Sequence, residues 1–223
     1  QEKFFQLVEF LVMHLNFVPC KELVALSLLL KAQHSVECSI LCINTLSSFI
    51  KFNPMFKDVF REVGILEVLV TCLNRFAGLL KEKEDALNAG KAYSVPANRE
   101  LLGILTIDIL SSLLAGNASN ASVFSEAGGP RCIQIIMVYE EARAKALGLF
   151  QQLMLTTASP DDLTLLLSRM HSTNPKDALL KIDILKAVMT CLRESHRIRS
   201  VFRRIGGFVY VLSVLVSVEG CLR

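Results

Sequence analysis

Apolar residues recur along the chain at the three- and four-residue spacing of amphipathic helices. In segments 56–63, 163–170 and 198–205 they fall at i, i+3, i+4 and i+7, a spacing that places them on one side of a helix. The strict alternation that marks a half-buried strand is almost absent. The pattern predicts an all-α chain with essentially no sheet.

Prolines and capping residues indicate where several helices begin. Asn53-Pro54, Ser159-Pro160 and Asn174-Pro175 each place an N-capping side chain before a proline at a first helical position. Acidic residues follow in the first turn after the second and third of these pairs, where the helix dipole favours negative charge. We therefore predict helix N-termini at all three pairs.

One segment, residues 81–97, interrupts the helical pattern. It mixes charges of both signs with small residues and offers no apolar face for a core. We expect a flexible surface loop there, and we expect limited proteolysis to cut it first.

An internal repeat carries the fold prediction. Three hexapeptides align without gaps, and apolar residues recur nine and thirteen positions before each leading Val and ten and fourteen positions after it. Each hexapeptide ends in a glycine, the residue that adopts a left-handed helix C-cap at the lowest cost. We accordingly expect Gly128→Val to destabilise the fold more than Gly116→Val. The hexapeptides are Val59-Phe-Arg-Glu-Val-Gly64, Val123-Phe-Ser-Glu-Ala-Gly128 and Val201-Phe-Arg-Arg-Ile-Gly206.

The spacing of the copies matches known helical repeats. Without the segment 81–97, and without an extra helical pair at about 157–194, consecutive copies are about 47 and about 40 residues apart, within the roughly 40–47 residues of armadillo and HEAT units. Such units must stack on neighbours to bury their apolar faces. The sequence therefore predicts an armadillo/HEAT-type α-solenoid, a right-handed superhelix of helical repeats covering residues 1–223, with an inserted HEAT-like pair.

Composition narrows the class further. The net charge of +3 is too small to indicate nucleic-acid binding or a membrane surface. The seven cysteines are odd in number and lie among apolar residues, as expected of unpaired thiols in a reducing compartment. The most apolar window, residues 207–218, is shorter than the ~20 residues of a membrane span, and the chain starts within an amphipathic helix rather than a signal peptide. We expect a cytoplasmic segment of a larger protein.

Groups that could carry chemistry are better explained by packing. His34, Cys38 and Cys42 share one helix stripe, but no second pair of ligands stands at metal spacing. Cys191 precedes His196, yet it occupies the repeat position of the apolar residues Phe49 and Leu113. The Gly-Gly pairs after the hexapeptides lack the Lys-Ser/Thr of a phosphate loop. We predict no catalytic residue, no metal site and no cofactor.

Five arginines near the third hexapeptide form the one unusual charge feature. Only Glu194 opposes them within this stretch, and clustered arginines can bind phosphate or acidic partners. The same residues could also form a solvated helix face, and no aromatic residues are interleaved for base stacking. We retain them as a candidate partner-binding set: Arg193, Arg197, Arg199, Arg203 and Arg204.

Several runs resemble one family across nearly the whole chain. The run Asn117-x-x-Asn120-x-x-Val-Phe-x-Glu-Ala-Gly-Gly129 is similar to the armadillo signature, and residues 18–23, 56–67 and 192–210 resemble the N-terminal armadillo region of the large BEACH-domain scaffolds called WD-repeat and FYVE-domain proteins, the group of Alfy and blue cheese. The resemblance implies a non-catalytic protein-interaction scaffold in vesicle trafficking, selective autophagy or antigen cross-presentation. It implies other proteins as partners, no nucleic acid, no membrane insertion, and further repeats stacked on the ends of the segment. The alternative is a basic module that docks on an anionic membrane or on RNA through the arginines.

Overall fold

A computed structural model describes residues 2–32, 35–91, 93–174 and 177–219, and within these residues every regular element is a helix. The all-α prediction is confirmed. The thirteen helices of the described chain are α1 (Glu2–Met13), α2 (Cys20–Ala32), α3 (Val36–Phe52), α4 (Phe56–Glu62), α5 (Ile65–Asn88), α6 (Ala97–Leu114), α7 (Ala118–Glu126), α8 (Gly129–Ile136), α9 (Glu140–Thr157), α10 (Pro160–Ser172), α11 (Ala178–Glu194), α12 (His196–Arg204) and α13 (Gly207–Glu219).

The helices form two compact units, Gln1–Cys132 and Ile133–Arg223. The sequence assigned the whole chain to one repeat segment. The boundary between the units falls within α8.

In the first unit, α3 and α6 form the most extensive contact, and α5 packs against α2, α6 and α7. Their shared core is built from large apolar side chains that the helical period places on facing stripes. Leu46, Phe49, Leu69, Leu73 and Leu110 are all 0% exposed. In the second unit, α11 packs on α9 and α10 packs on α13.

Capping side chains begin several helices, and Ser159 is one that the sequence indicated. The Oγ of Ser159 accepts from the N–H of Asp162 before α10, and the Oδ1 of Asn117 accepts from the N–H of Asn120 before α7. Asn53 acts differently, because its Oδ1 accepts from the N–H of Met55 and α4 starts only at Phe56. Pro175 lies outside the described residues.

The predicted loop at 81–97 is wrong in its first half, because α5 continues to Asn88 and only residues 89–96 connect it to α6. Lys, Glu, Ala and Leu have high intrinsic helix propensity, and Lys81 and Asp85 stand one turn apart with opposite charges. A helix can therefore extend past its last core residue, Leu80, without an apolar face. The loss of apolar periodicity marked the end of burial and not the end of the helix.

The three sequence copies share a local order: a long helix, a short helix ending at a glycine, and a third helix. They are α3–α4–α5, α6–α7–α8 and α11–α12–α13. The helices between the second and third copies are α9 and α10, so the predicted bounds of the extra pair, about 157–194, are wrong: they include α11, the long helix of the third copy. The third helices differ in length, from eight residues in α8 to 24 in α5.

The glycines that close the short helices adopt the left-handed conformation. Their φ angles are +76° at Gly64, +86° at Gly128 and +71° at Gly206. Gly116 also has a positive φ of +68°, so the expectation that it would tolerate valine better than Gly128 loses its basis. Gly116 lies between the end of α6 and the N-cap of α7, and that tight corner needs the left-handed conformation as well.

Candidate functional site

The arginine cluster is carried mainly by α12, a short helix with two different sides. Ile198, Val201 and Phe202 are at most 9% exposed and face the core. At 100° per residue, the remaining side chains fall on one continuous stripe opposite them. We call this stripe, together with the adjoining Arg193 in the last turn of α11, the arginine face. It consists of Arg193, His196, Arg197, Arg199, Ser200, Arg203 and Arg204.

Local capping fixes where the arginine face begins. The Oγ of Ser195 accepts from the N–H of Ile198 and starts α12, while the N–H of Ser195 donates to the carbonyl of Cys191 and closes α11. One residue thus ends one helix and begins the next, so the two helices meet at a corner.

Arg199 is held at that corner by backbone groups. Its Nη1 donates to the carbonyl of Leu192 at 2.6 Å and to the carbonyl of Arg193 at 3.2 Å. These carbonyls belong to the last turn of α11, which has no helical donors for them. Arg197 reaches the carbonyl of Thr157 at the end of α9, at 3.4 Å. These two arginines therefore contribute to the structure as helix-end donors.

The other three arginines of the cluster are exposed: Arg193, Arg203 and Arg204. Within the described residues none of them has a carboxylate within 4 Å or a hydrogen-bond acceptor in the protein. A free guanidinium presents a planar set of donors that fits a carboxylate or a phosphate in bidentate fashion. Among the residues that the structure describes, three such groups are therefore free at one corner of the second unit.

The groups weighed for catalysis or metal binding are placed as core or as isolated side chains. Cys191 is 1% exposed, and burial, with the nearby Glu194, raises the pKa of its thiol to about 11. The thiol is therefore protonated at neutral pH, while His196 is exposed. The buried Cys42 points its Sγ at the carbonyl of Leu26, and His34 lies outside the described residues. No group of three or more potential metal ligands occurs in the described part of the chain.

A cavity of about 380 Å³ in the first unit was not anticipated from the sequence. It lies against α5 and α6, with Cys72, Phe76 and Leu102 lining it and Arg75 and Arg99 nearby. The Nη1 of Arg75 is already engaged with the carbonyl of Lys31 at 3.0 Å. The thiol of Cys72 and the carboxylate of Glu82 both line the cavity, and the Sγ of Cys72 lies 4.0 Å from the carbonyl oxygen of Leu30.

Curated proteins that are similar to the chain include the human and mouse forms of one large protein. The chain is 30% identical over 227 aligned residues to human WD repeat- and FYVE domain-containing protein 4, and 27% identical over 223 residues to the mouse protein of that name. The chain is similar to a segment of this protein. The alignments cover all of the chain but only 7% of the length of each relative. The resemblance found in the sequence is thereby confirmed, while no protein-family model and no solved structure matches.

The names of the two WD-repeat and FYVE-domain relatives state domains and no catalytic activity. Within the described residues no single helix is long and apolar enough to cross a membrane, although the bent pair α4 and α5 together meets the length and composition of a span. The similarity to WD-repeat and FYVE-domain protein 4 by itself points to a segment of a large scaffold-like protein.

A polar bridge between α4 and α7 was missed by sequence reasoning. Asn120 is 0% exposed, and its Nδ2 donates to the carbonyls of Lys57 at 3.0 Å and Leu113 at 3.1 Å. Its Oδ1 accepts from Arg61 at 2.9 Å, and Arg61 also contacts Asp58 at 2.6 Å. The signal was available, because the aligned positions in the other two copies are apolar. An amide at a core position indicates a specific partner.

Proposed function

We propose that the chain is a non-catalytic protein-interaction segment of a large BEACH-type scaffold, built as an α-solenoid of armadillo units with an inserted HEAT-like pair. A local arrangement of helices that recurs along the chain supports this proposal. Three copies of long helix, short helix and third helix share left-handed glycines at the same register. Repeat units of this kind provide extended surfaces for partners.

The cellular role that we propose for this segment is taken from the proteins it is similar to. By similarity to WD-repeat and FYVE-domain proteins, we assign it to vesicle trafficking, selective autophagy or antigen cross-presentation, at a cytoplasmic location. Other parts of the parent protein would bring it to membranes.

The observation that carries the proposal is the free part of the arginine face. Arg193, Arg203 and Arg204 are exposed and have no partner in the described part of the chain, so their guanidinium groups are available to an acidic surface on a folded protein. RNA is the weaker candidate, because the arginine face carries no Phe, Tyr or Trp on which bases could stack.

A charge-reversal pair tests this function. The variant Arg193→Glu/Arg203→Glu/Arg204→Glu removes the free guanidinium groups, and Lys3→Glu/Lys21→Glu/Lys51→Glu is the control. All six side chains are exposed, and each variant changes the net charge from +3 to −3. We expect affinity capture from cell lysate to lose its protein partners in the arginine variant alone.

Two outcomes would contradict the proposal. Equal loss in both variants would show a non-specific charge effect. Binding to phosphatidylserine vesicles or to RNA that only the arginine variant loses, with no protein partner affected, would favour the alternative basic-surface module.

Extended basic peptides of the nuclear-import type are not expected to bind. The import armadillo proteins clamp such peptides with a ladder of asparagines, but the corresponding positions here are Phe49, Leu113 and Cys191, all at most 1% exposed. None of these side chains has the amide's paired donor and acceptor. A fluorescence titration with a classical import peptide should show no micromolar binding. Such binding, if lost on mutation of Asn44 or Asp108, would restore a peptide-groove function.

A further inference from the structure

The last helix of the second unit, α13, exposes an apolar stripe. Phe208, Val209, Leu212, Leu215 and Val216 are each 57–70% exposed. Their spacing of i, i+1, i+4, i+7 and i+8 places them on one side of the helix. The opposite side is anchored, since Val214 is 3% exposed and α13 packs on α10 and α12. We call the five residues the α13 stripe.

In the first repeat copy, which is followed by further helices, the positions that correspond to three residues of the α13 stripe are buried. The residues aligned with Phe208, Leu212 and Leu215 are Leu66, Val70 and Leu73 of α5, and they are at most 3% exposed. In that copy α5 packs against α6 and α7, the first two helices of the next copy.

The two flanking positions strengthen the comparison. Val209 and Val216 align with Glu67 and Asn74, which are polar and exposed on α5. Two positions that are polar in the first copy are therefore apolar in the third. The α13 stripe is therefore wider than its counterpart on α5. Exposing an apolar patch of this kind to water is unfavourable in free energy.

We propose that the α13 stripe is the docking surface for a further helical repeat of the parent protein, in which an α6-like helix and an α7-like helix cover it as α6 and α7 cover α5. The proposal rests on the solenoid architecture of the proposed function. The relatives are long enough to supply such a repeat, because the chain matches only 7% of their length.

The size of the stripe favours a tethered partner over a second copy of the chain. Five half-exposed side chains form a patch on the order of a few hundred Å², well below the roughly 800 Å² that each partner of a standard stable interface buries. A repeat in the same polypeptide does not need that area, since its covalent link supplies a high effective concentration.

The experiment compares the 223-residue chain with the same polypeptide extended by one further repeat of the parent protein. Hydrogen exchange should slow in α13 of the extended form by at least tenfold, because covered helices open less often. Leu212→Glu/Leu215→Glu should abolish this protection in the extended form and leave exchange elsewhere in the 223-residue chain unchanged. Leu28→Glu/Leu179→Glu is the matched control, since both leucines are about 60% exposed outside the stripe, and it should keep the protection.

Three results would overturn the inference: unchanged exchange of α13 in the extended form, a concentration-dependent dimer of the 223-residue chain that Leu212→Glu/Leu215→Glu dissolves, or vesicle binding that the same variant abolishes. Failure here is distinct from failure of the proposed function. The charge-reversal variant Arg193→Glu/Arg203→Glu/Arg204→Glu leaves the stripe intact and should retain the protection of α13.

Discussion

The short helices α7 and α12 occupy the same place in their repeat copies but treat polar groups in opposite ways. At one aligned core position α7 has Asn120 and α12 has Ile198, and both are 0% exposed. The polar groups of α7 are bonded to α4, through Lys57, Arg61 and Asp58. Those of α12 include arginines with no partner within the described chain. In the same backbone unit, polar side chains can thus make internal contacts, as in α7, or remain available to another molecule, as in α12.

The internal hydrogen bonds of α7 place the stricter requirement on helix packing. A buried amide destabilises a core unless its donors and acceptor are satisfied. Asn120 meets this condition with three contacts to other residues of the first unit, at 2.9–3.1 Å. It can do so only if α4 and α7 adopt one relative position. We infer that the amide makes the packing of these two helices specific.

An exchange of the two core residues should produce the largest effect. Ile198→Asn places an amide among apolar side chains without partners and should cost about 4 kcal/mol of unfolding free energy. Asn120→Ile leaves two carbonyls without their donor and should cost about 2 kcal/mol, partly offset by the added apolar volume. Urea denaturation, with hydrogen exchange to follow each unit separately, measures both.

The conservative variant Ile198→Val is the control, with an expected cost of about 1 kcal/mol. If Ile198→Asn cost no more than this control, the core around α12 would have to contain hydrogen-bonding groups that satisfy the new amide. The contrast with α7 would then fail.

A second, smaller effect concerns the glycine that closes α7. Gly128→Ala puts a side chain at φ +86°, which should cost about 1–2 kcal/mol. Gly78→Ala, within α5 and with open space around the added Cβ, should instead stabilise by up to about 1 kcal/mol. Thermal denaturation should shift in opposite directions for the two variants. Shifts of the same sign would mean that the left-handed corner is not a requirement of the repeat.

The sequence predicted most of this framework because the relevant physics is local. Helical period and the Val-Phe-…-Gly register depend on residues close together in the chain, and both are visible without a structure. The end of α5 was misjudged because helix propensity persists where burial stops. The role of Asn120 and the division of the arginines into anchored and free groups depend on acceptors distant in sequence, Lys57 and Thr157 among them.

A smaller effect should appear in the acid range, at the exposed edge of the α4–α7 bridge. Hydrogen bonds from the Asn117 amide and from Arg61 lower the pKa of Asp58 below its ordinary value of 3.8. A lowered folded-state pKa stabilises the protein above the ordinary pKa, and the stabilisation is lost as the pH falls through the folded value. Asp58→Asn should therefore be less stable than the parent near pH 6, by at most about 1 kcal/mol for so exposed a pair.

As the pH falls through the lowered folded-state pKa of Asp58, the stabilities of the two proteins should converge. A difference that stays constant from pH 6 to pH 2 would assign the effect to packing rather than to the charge of Asp58.

The smallest effect on stability is expected at Arg203, and its size separates the two kinds of arginine. Arg203 stands one turn after Arg199 and in the last turn of α12. Repulsion between like charges at this spacing costs about 0.2–0.5 kcal/mol, while the helix dipole favours a cation there by a similar amount. Arg203→Gln should therefore change the unfolding free energy by less than about 0.5 kcal/mol, and yet weaken partner capture.

Arg199→Gln should do the reverse. It removes the donor to the carbonyls of Leu192 and Arg193, at a cost of about 1 kcal/mol, because the end of α11 then depends on water for those bonds. Measured side by side, the two variants place stability and partner binding on different residues of one helix. If Arg203→Gln lowered stability as much as Arg199→Gln, Arg203 would be part of the internal framework, and the arginine face would resemble α7 after all.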